Sequence, residues 1–286
     1  MPQLTSLANL TVANAEPLVW GRRTYVMGII NVTPDSFSGD GLGSDLHAVA
    51  ALTVRYQEEG ADFLDVGAES TRPNSTPITV QEELARLLPA LETILSRVSL
   101  PVSVDTYKSQ VALQAIQAGA VIVNDVWGLK KDPEIATVAS ESGAGLIIMH
   151  NQETIHYRDL VPDVLASLSQ SVELARAAGV PQDSIILDPG IGFGKTADHN
   201  LEILNRLGEF KTLGCPLLVG TSRKSTIGRV LDLPPDQRLE GTAATVALSI
   251  AAGADIVRVH DVRQMTRVCQ MTDAVVRGWR PQGWTP

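Results

Sequence analysis

Cysteine is nearly absent: Cys215 and Cys269 are the two in 286 residues, and they do not stand in a metal-ligand spacing. That argues against a disulfide-stapled scaffold and a thiolate zinc site, and it fits two reduced core thiols in a cytoplasmic compartment. Positive charge is in the minority, 23 Lys and Arg against 32 Asp and Glu, for a formal net charge of -9. A surface of that sign repels phosphate backbones, which argues against nucleic acid as a partner and leaves only a local basic pocket open. No run approaches the ~18 apolar residues of a membrane span. Residues 1–17 lack the basic start and apolar stretch of a secretory signal. Low-complexity segments, linkers and charge runs are missing too, so the chain reads as one intracellular domain.

What is present is a repeat of short apolar runs that end in polar groups. Phe63-Leu64-Asp65-Val66, Val121-Ile122-Val123-Asn124, Leu146-Ile147-Ile148-Met149-His150, Ile185-Ile186-Leu187-Asp188 and Ile256-Val257-Arg258-Val259-His260 each follow a segment closing on glycine. Glycine past a helix end accepts the left-handed backbone without a Cβ penalty. A short strand with few polar positions is buried on both faces, as in a parallel sheet.

The spacing predicts strands at Tyr25–Asn31, Asp62–Val66, Val102–Asp105, Val121–Asn124, Gly145–His150, Ser184–Asp188, Pro216–Gly220 and Asp255–Val259. Helical periodicity appears from Leu46 to Gln57, from Val80 onward, and over Lys108–Ala118, Pro133–Ser142, Pro162–Ala178, His199–Thr212, Glu240–Ala252 and Val262–Arg277. Strand–helix alternation gives a closed barrel or a doubly wound sheet. The count of strands and the lack of an early G-x-G-x-x-G favour a single (β/α)8 TIM barrel. Residues 20–286 are assigned to it, and residues 1–19 are expected to form a flexible, poorly tied extension. Long loops follow the first strand (Val32 to Gly43) and the second (Gly67 to Pro77). Both exceed the usual βα turn and stand at the catalytic face, so both are candidate lids.

Asn31, Asp105, Asn124, Asp188, Lys224, Arg258 and His260 sit at strand ends, where a barrel gathers its chemistry. Two carboxylates and a carboxamide can match the donor and acceptor edge of a flat nitrogen heterocycle. Position alone equally allows backbone bonding or a metal. Asp188 to Lys195 is dense in glycine, letting backbone approach a ligand closely, although its spacing is not that of a P-loop. Phe193 in that loop can pack on an aromatic substrate or simply on its own loop. Lys224 follows strand seven, where barrels often bind anions, and can bond a substrate or form a Schiff base. Arg258 and His260 alternate, so both can face the mouth and, with Asn31, hold a diphosphate whose charge Mg2+ shares.

These strings together resemble the dihydropteroate synthase family, the folate-pathway enzymes inhibited by sulfonamides. The resemblance runs from Gly21 onward. It is carried by Met27 to Ser38, Leu64 to Pro73, Val104 to Lys108, Asn124-Asp125-Val126, Asp188 to Lys195, Ser222-Arg223-Lys224-Ser225 and Arg258-Val259-His260-Asp261. It implies a (β/α)8 barrel that condenses 6-hydroxymethyl-7,8-dihydropterin diphosphate with 4-aminobenzoate. It further implies that Asp105, Asn124, Asp188 and Lys224 hold the pterin with Arg258 stacked against it, and that Asn31 ligates Mg2+. Asn31, Arg72, Arg258 and His260 would hold diphosphate, and Thr71, Pro73, Phe193, Lys224 and Ser225 would surround 4-aminobenzoate. By the same resemblance the chain is a homodimer, with Val262, Val268, Met271, Val275 and Val276 serving interface or barrel packing. Two lid-loop positions depart from the family: Ser38-Gly39-Asp40-Gly41 and Gly67-Ala68-Glu69-Ser70 replace its frequent Ser-Asp-Gly-Gly and Gly-Gly-Glu-Ser. The competing readings are a methyltetrahydrofolate–corrinoid methyltransferase module, a Schiff-base lyase acting through Lys224, and a silent pterin-binding protein.

Overall fold

The computed structural model describes residues 12, 16–33, 45–70 and 76–285. Strands and helices alternate as β1 (Tyr25–Asn31), α1 (Leu46–Glu58), β2 (Phe63–Gly67), α2 (Val80–Leu95), β3 (Val102–Asp105), α3 (Ser109–Ala118), β4 (Ile122–Asp125) and α4 (Glu134–Ser142). They continue as β5 (Gly145–Met149), α5 (Leu160–Ala177), β6 (Ile185–Asp188), α6 (Ala197–Asn205), β7 (Leu218–Val219), α7 (Ser225–Leu231), α8 (Leu239–Ala251), β8 (Ile256–Val259) and α9 (Val262–Val276). The 8 strands are parallel and run in the order β6-β5-β4-β3-β2-β1-β8-β7. A parallel bridge between Leu187 and Leu217 brings β6 against β7 and closes the barrel. This is the (β/α)8 architecture.

Period-two alternation turns these strands into a site. Phe63, Ile122, Ile186 and Ile256 belong to an interior apolar cluster with Tyr25, Met27, Ile147 and Leu218. Two residues further along the same strands stand Asp65, Asn124, Asp188 and Arg258, which therefore share the inward face, one layer above the apolar floor. Outward-facing residues such as Val66, Val104, Val123, Leu146 and Val257 pack under the helices in a second cluster. Gly28 shows how tightly strand and helix meet. A Cβ there would stand 2.6 Å from Cδ2 of Tyr56 on α1.

Differences from the sequence expectations have local causes. Val12 and Leu18 lie in the segment expected to be loosely attached, yet both are buried in the interior cluster, where they cover apolar residues at the barrel's lower end. The helix expected over His199–Thr212 ends as an α-helix at Asn205 and continues as a 3-10 turn over Leu207–Leu213. Gly208 in that stretch weakens the helical alternative. Helix α7 was not expected, since seven residues are too few to display a 3.6-residue period. The loop after β1 from 34 to 44 and residues 71–75 after β2 lie outside the described residues. The lid expectation for both loops therefore falls largely outside them as well.

Candidate active site

Five strand-end side chains meet above the apolar floor. Arg258 on β8 is the hub: its Nε donates to Asp65 Oδ2 at 2.6 Å and its terminal Nη2 to Asp105 Oδ2 at 2.9 Å. Asn124 on β4 donates through Nδ2 to the same Asp65 oxygen at 3.1 Å. Asp105 and Asn124 are direct partners in the β3–β4 register. The second oxygens of Asp65 and Asp105 are buried with no hydrogen-bond partner among the described residues. Buried acceptors without donors are costly, of order 1–3 kcal/mol each, so a ligand bringing N–H groups is favoured here.

Burial dominates the electrostatics. It raises the Asp105 carboxyl to about 7, against the pull of Arg258 and with the repulsion of Asp65. Burial also raises Asp188, which Lys224 opposes and the Gly190 N–H opposes through a 2.7 Å bond to Oδ1. Lys224 is brought down to about 8, again by burial, with Asp188 holding it up. Its Nζ donates to the carbonyl of Ile191 and lies 4.6 Å from the centroid of the Phe193 ring. The glycine-rich loop after β6 thus carries both a carbonyl and an aromatic face to the lysine. Gly190 is required there, because with φ at 74° a Cβ would fall 1.9 Å from the His150 carbonyl oxygen.

Lys195 closes that loop rather than forming a phosphate cradle. Its Nζ is 2.8 Å from His150 Nδ1 and donates to the Phe193 carbonyl at 3.0 Å. Burial lowers Lys195 to about 7, and burial with the neighbouring Lys195 and Lys130 charges drives His150 down to about 2. His150 is therefore a neutral acceptor and Lys195 a brace.

At the other side of the mouth, His260 follows β8. Ser222 Oγ is 2.9 Å from its Nδ1 and accepts its backbone N–H at 3.2 Å, while Tyr56 donates to its carbonyl at 3.0 Å. A cavity of about 390 Å³ beside it is lined by Arg55, Tyr56, Arg223 and His260 among others. Asn31 ends β1 and is half-buried, and Ser225 opens α7 on the exposed side. Thr71, Arg72 and Pro73 lie outside the described residues. Among the described residues no group of three or more His, Cys, Asp or Glu side chains could hold a metal ion. One carboxamide oxygen from Asn31 suits Mg2+ only as an addition to substrate phosphate oxygens and water, which is how that ion is commonly held.

Sequence reasoning missed three partners of this basin. Asp65 was legible in principle, since a charge inside a strand buried on both faces requires a partner. Ser222 stood in the string Ser222-Arg223-Lys224-Ser225, but nothing in the sequence paired it with His260. The third is a clamp at the base of the second long loop. Lys108 Nζ donates to Glu69 at 2.8 Å, Glu83 at 2.7 Å and the Ile78 carbonyl at 2.8 Å, while Glu69 accepts from Tyr107 and from Ile78 N–H.

Known proteins are similar to this chain in sequence and in fold. The chain is 49% identical over 259 residues to the dihydropteroate synthase of Bacillus subtilis, covering 91% of both chains. The crystal structure of dihydropteroate synthase from Clostridium difficile in the presence of pteroic acid superposes with a TM-score of 0.87 at 46% identity, over 91% of this chain and 99% of that one. The Xanthomonas albilineans dihydropteroate synthase with 4-aminobenzoic acid superposes with a TM-score of 0.85 at 39% identity, over 91% of this chain and 95% of that one. The family model described as pterin binding enzyme matches residues 27–260, a span that holds every residue of the basin. The chain belongs to the pterin binding enzyme family.

Proposed function

We propose that the chain is a dihydropteroate synthase, joining 6-hydroxymethyl-7,8-dihydropterin diphosphate to 4-aminobenzoate with release of diphosphate. The observation that carries this reading is the meeting of Asp105, Asn124, Asp188, Lys224 and Arg258 in one basin over an apolar floor. Solved relatives described with pteroic acid and with 4-aminobenzoic acid support the two substrate classes.

The heterocycle is assigned to Asp105, Asn124, Asp188 and Lys224, with Arg258 against its face. Two carboxylates accept N–H groups, the amide supplies the mixed polarity, and Lys224 reaches a carbonyl or ring nitrogen. As the methylene–oxygen bond breaks, its electron pair leaves with diphosphate and positive charge spreads into the pterin ring. Asp105 and Asp188 stabilise that charge in a water-poor site, where fixed charges act strongly. Asn31, Arg72, Arg258 and His260 are assigned to the diphosphate. Mg2+, held by Asn31 and the diphosphate, would neutralise part of the leaving group's charge.

Thr71, Pro73, Phe193, Lys224 and Ser225 are assigned to 4-aminobenzoate, with Ser225 near its carboxylate. The amine then forms the C–N bond, and the resulting anilinium is acidic enough to give its proton to water. Positioning therefore matters more than a general base.

The same reading makes the protein cytoplasmic and a homodimer. Among the described residues no helix is long and apolar enough to cross a membrane. On α9 Val262 is buried and Val268 packs on the core, whereas Met271, Val275 and Val276 are exposed, as is Leu248 of the neighbouring α8. The outward set is the candidate interface, and light scattering after size exclusion tests it.

The decisive assay supplies purified protein with the dihydropterin diphosphate and Mg2+, with and without 4-aminobenzoate. Diphosphate release that depends on 4-aminobenzoate, with dihydropteroate as product, is expected. Release without it, or methyl transfer from methyltetrahydrofolate, would remove the reading.

A further inference from the structure

Asp65 is fully buried beneath the basin, and one of its oxygens performs two tasks. Oδ2 accepts from Arg258 Nε at 2.6 Å and from Asn124 Nδ2 at 3.1 Å. An ionised carboxylate can only accept, so the group that Asn124 turns towards it must be the NH2. The amide orientation of Asn124 is thus fixed by the chemistry of its partner. With one N–H held, the carboxamide oxygen is left to a ligand beside the second N–H, and none of the described donors bonds to that oxygen.

We propose that Asp65 is a positioning and specificity-determining residue: it presents Asn124 as an acceptor to the heterocycle and holds Arg258 over the same floor. The inference deepens the functional reading above and rests on the basin being the pterin site. Asp65 acts through Asn124 and Arg258, and the ligand edge it selects carries an N–H opposite the Asn124 oxygen. A mere counter-ion for Arg258 would need no particular polarity towards Asn124, and this difference makes the idea testable.

Arg258 only donates, so in Asp65→Asn the amide oxygen keeps the shared position and still accepts from Asn124. In Asp65→Leu, of similar shape, that acceptor is gone and Asn124 can turn over. The KM for dihydropterin diphosphate is expected to rise about tenfold or more, the worth of one charge-assisted hydrogen bond. The KM for 4-aminobenzoate should stay within about twofold, because its assigned residues lie elsewhere. Asn124→Asp sets two acceptors against each other and should fare worse. Asp65→Asn, which loses the charge but keeps the shared acceptor, should hold Asn124 as the wild type does.

Asp65→Asn within a few-fold of the wild-type KM, beside an Asp65→Leu variant raised about tenfold or more, is the expected result. Asp65→Asn no better than Asp65→Leu, or variants in which both KM values climb together, would overturn the proposal. If Asp65→Leu fails to fold, Asn124→Asp decides: a raised KM for the pterin substrate alone supports the proposal, and an unaltered KM defeats it. An inactive wild type would defeat the functional reading and this inference with it. An active wild type with an unaltered Asp65→Leu variant defeats the inference alone.

Discussion

Ser222 Oγ accepts the backbone N–H of His260 at 3.2 Å and lies 2.9 Å from that residue's Nδ1. The hydroxyl proton is then best placed on Nδ1, which leaves the ring proton on Nε2. His260 is thereby set as a donor at its far nitrogen, the end required to meet a phosphate oxygen. Ser222→Ala should raise the KM for dihydropterin diphosphate about three- to tenfold with little change for 4-aminobenzoate. Nitrogen NMR of the imidazole should show the Nε2–H tautomer in the wild type and a mixture in the variant. An Nδ1–H tautomer in the wild type would contradict the assignment.

Asp105 sits where positive charge is expected to develop, and its removal separates binding from chemistry. Asp105→Asn keeps the shape and one acceptor while deleting the charge. A loss of about a hundredfold or more in kcat is expected, the scale of losing one preorganised electrostatic contact. Near-normal kcat in a folded variant would remove the residue from its role.

The pH profile should be narrow. Asp105, raised to about 7 by burial, loses its charge as pH falls through that value, and Lys224, lowered to about 8, loses its charge as pH rises through that one. The free enzyme's kcat/KM for the pterin substrate should therefore be bell-shaped, with apparent limbs belonging to the coupled cluster as a whole. In Asp105→Asn the acidic limb should disappear while the basic limb persists. A flat profile through this range would contradict both assignments.

Lys108 is flanked by Glu69 and Glu83, whose side chains are 5% and 1% exposed. Removing the lysine leaves two buried carboxylates without their cation. Lys108→Met should cost about 3–5 kcal/mol in unfolding free energy, as expected when one partner of a buried ion pair is deleted. Urea denaturation measures this, and a change below about 1 kcal/mol would show the clamp to be structurally idle.

The strands were legible because burial on both faces leaves little but apolar residues between the polar tips. Predicted and observed bounds agree for Tyr25–Asn31 and Val102–Asp105 and differ by a residue or two at most of the others. The convergence of Asp105, Asn124, Asp188 and Arg258 followed from their shared place at strand ends. Their partners did not, because Arg258 to Asp65 spans 193 positions and Ser222 to His260 spans 38, distances over which a single sequence carries no pairing signal. Lys224 was read as a ligand to substrate, and its present contacts with the Ile191 carbonyl and the Phe193 ring arise from a loop whose path depends on Gly190.

The most direct measurement is the structure of the protein crystallised with dihydropteroate. The heterocycle should lie on the apolar floor with its N–H edge about 3 Å from Asp105, Asn124 and Asp188 oxygens, Arg258 against one face and the benzoate towards Phe193 and Ser225. A heterocycle bound anywhere outside this ring of strand tips would contradict the assignment of the basin and the chemistry built upon it.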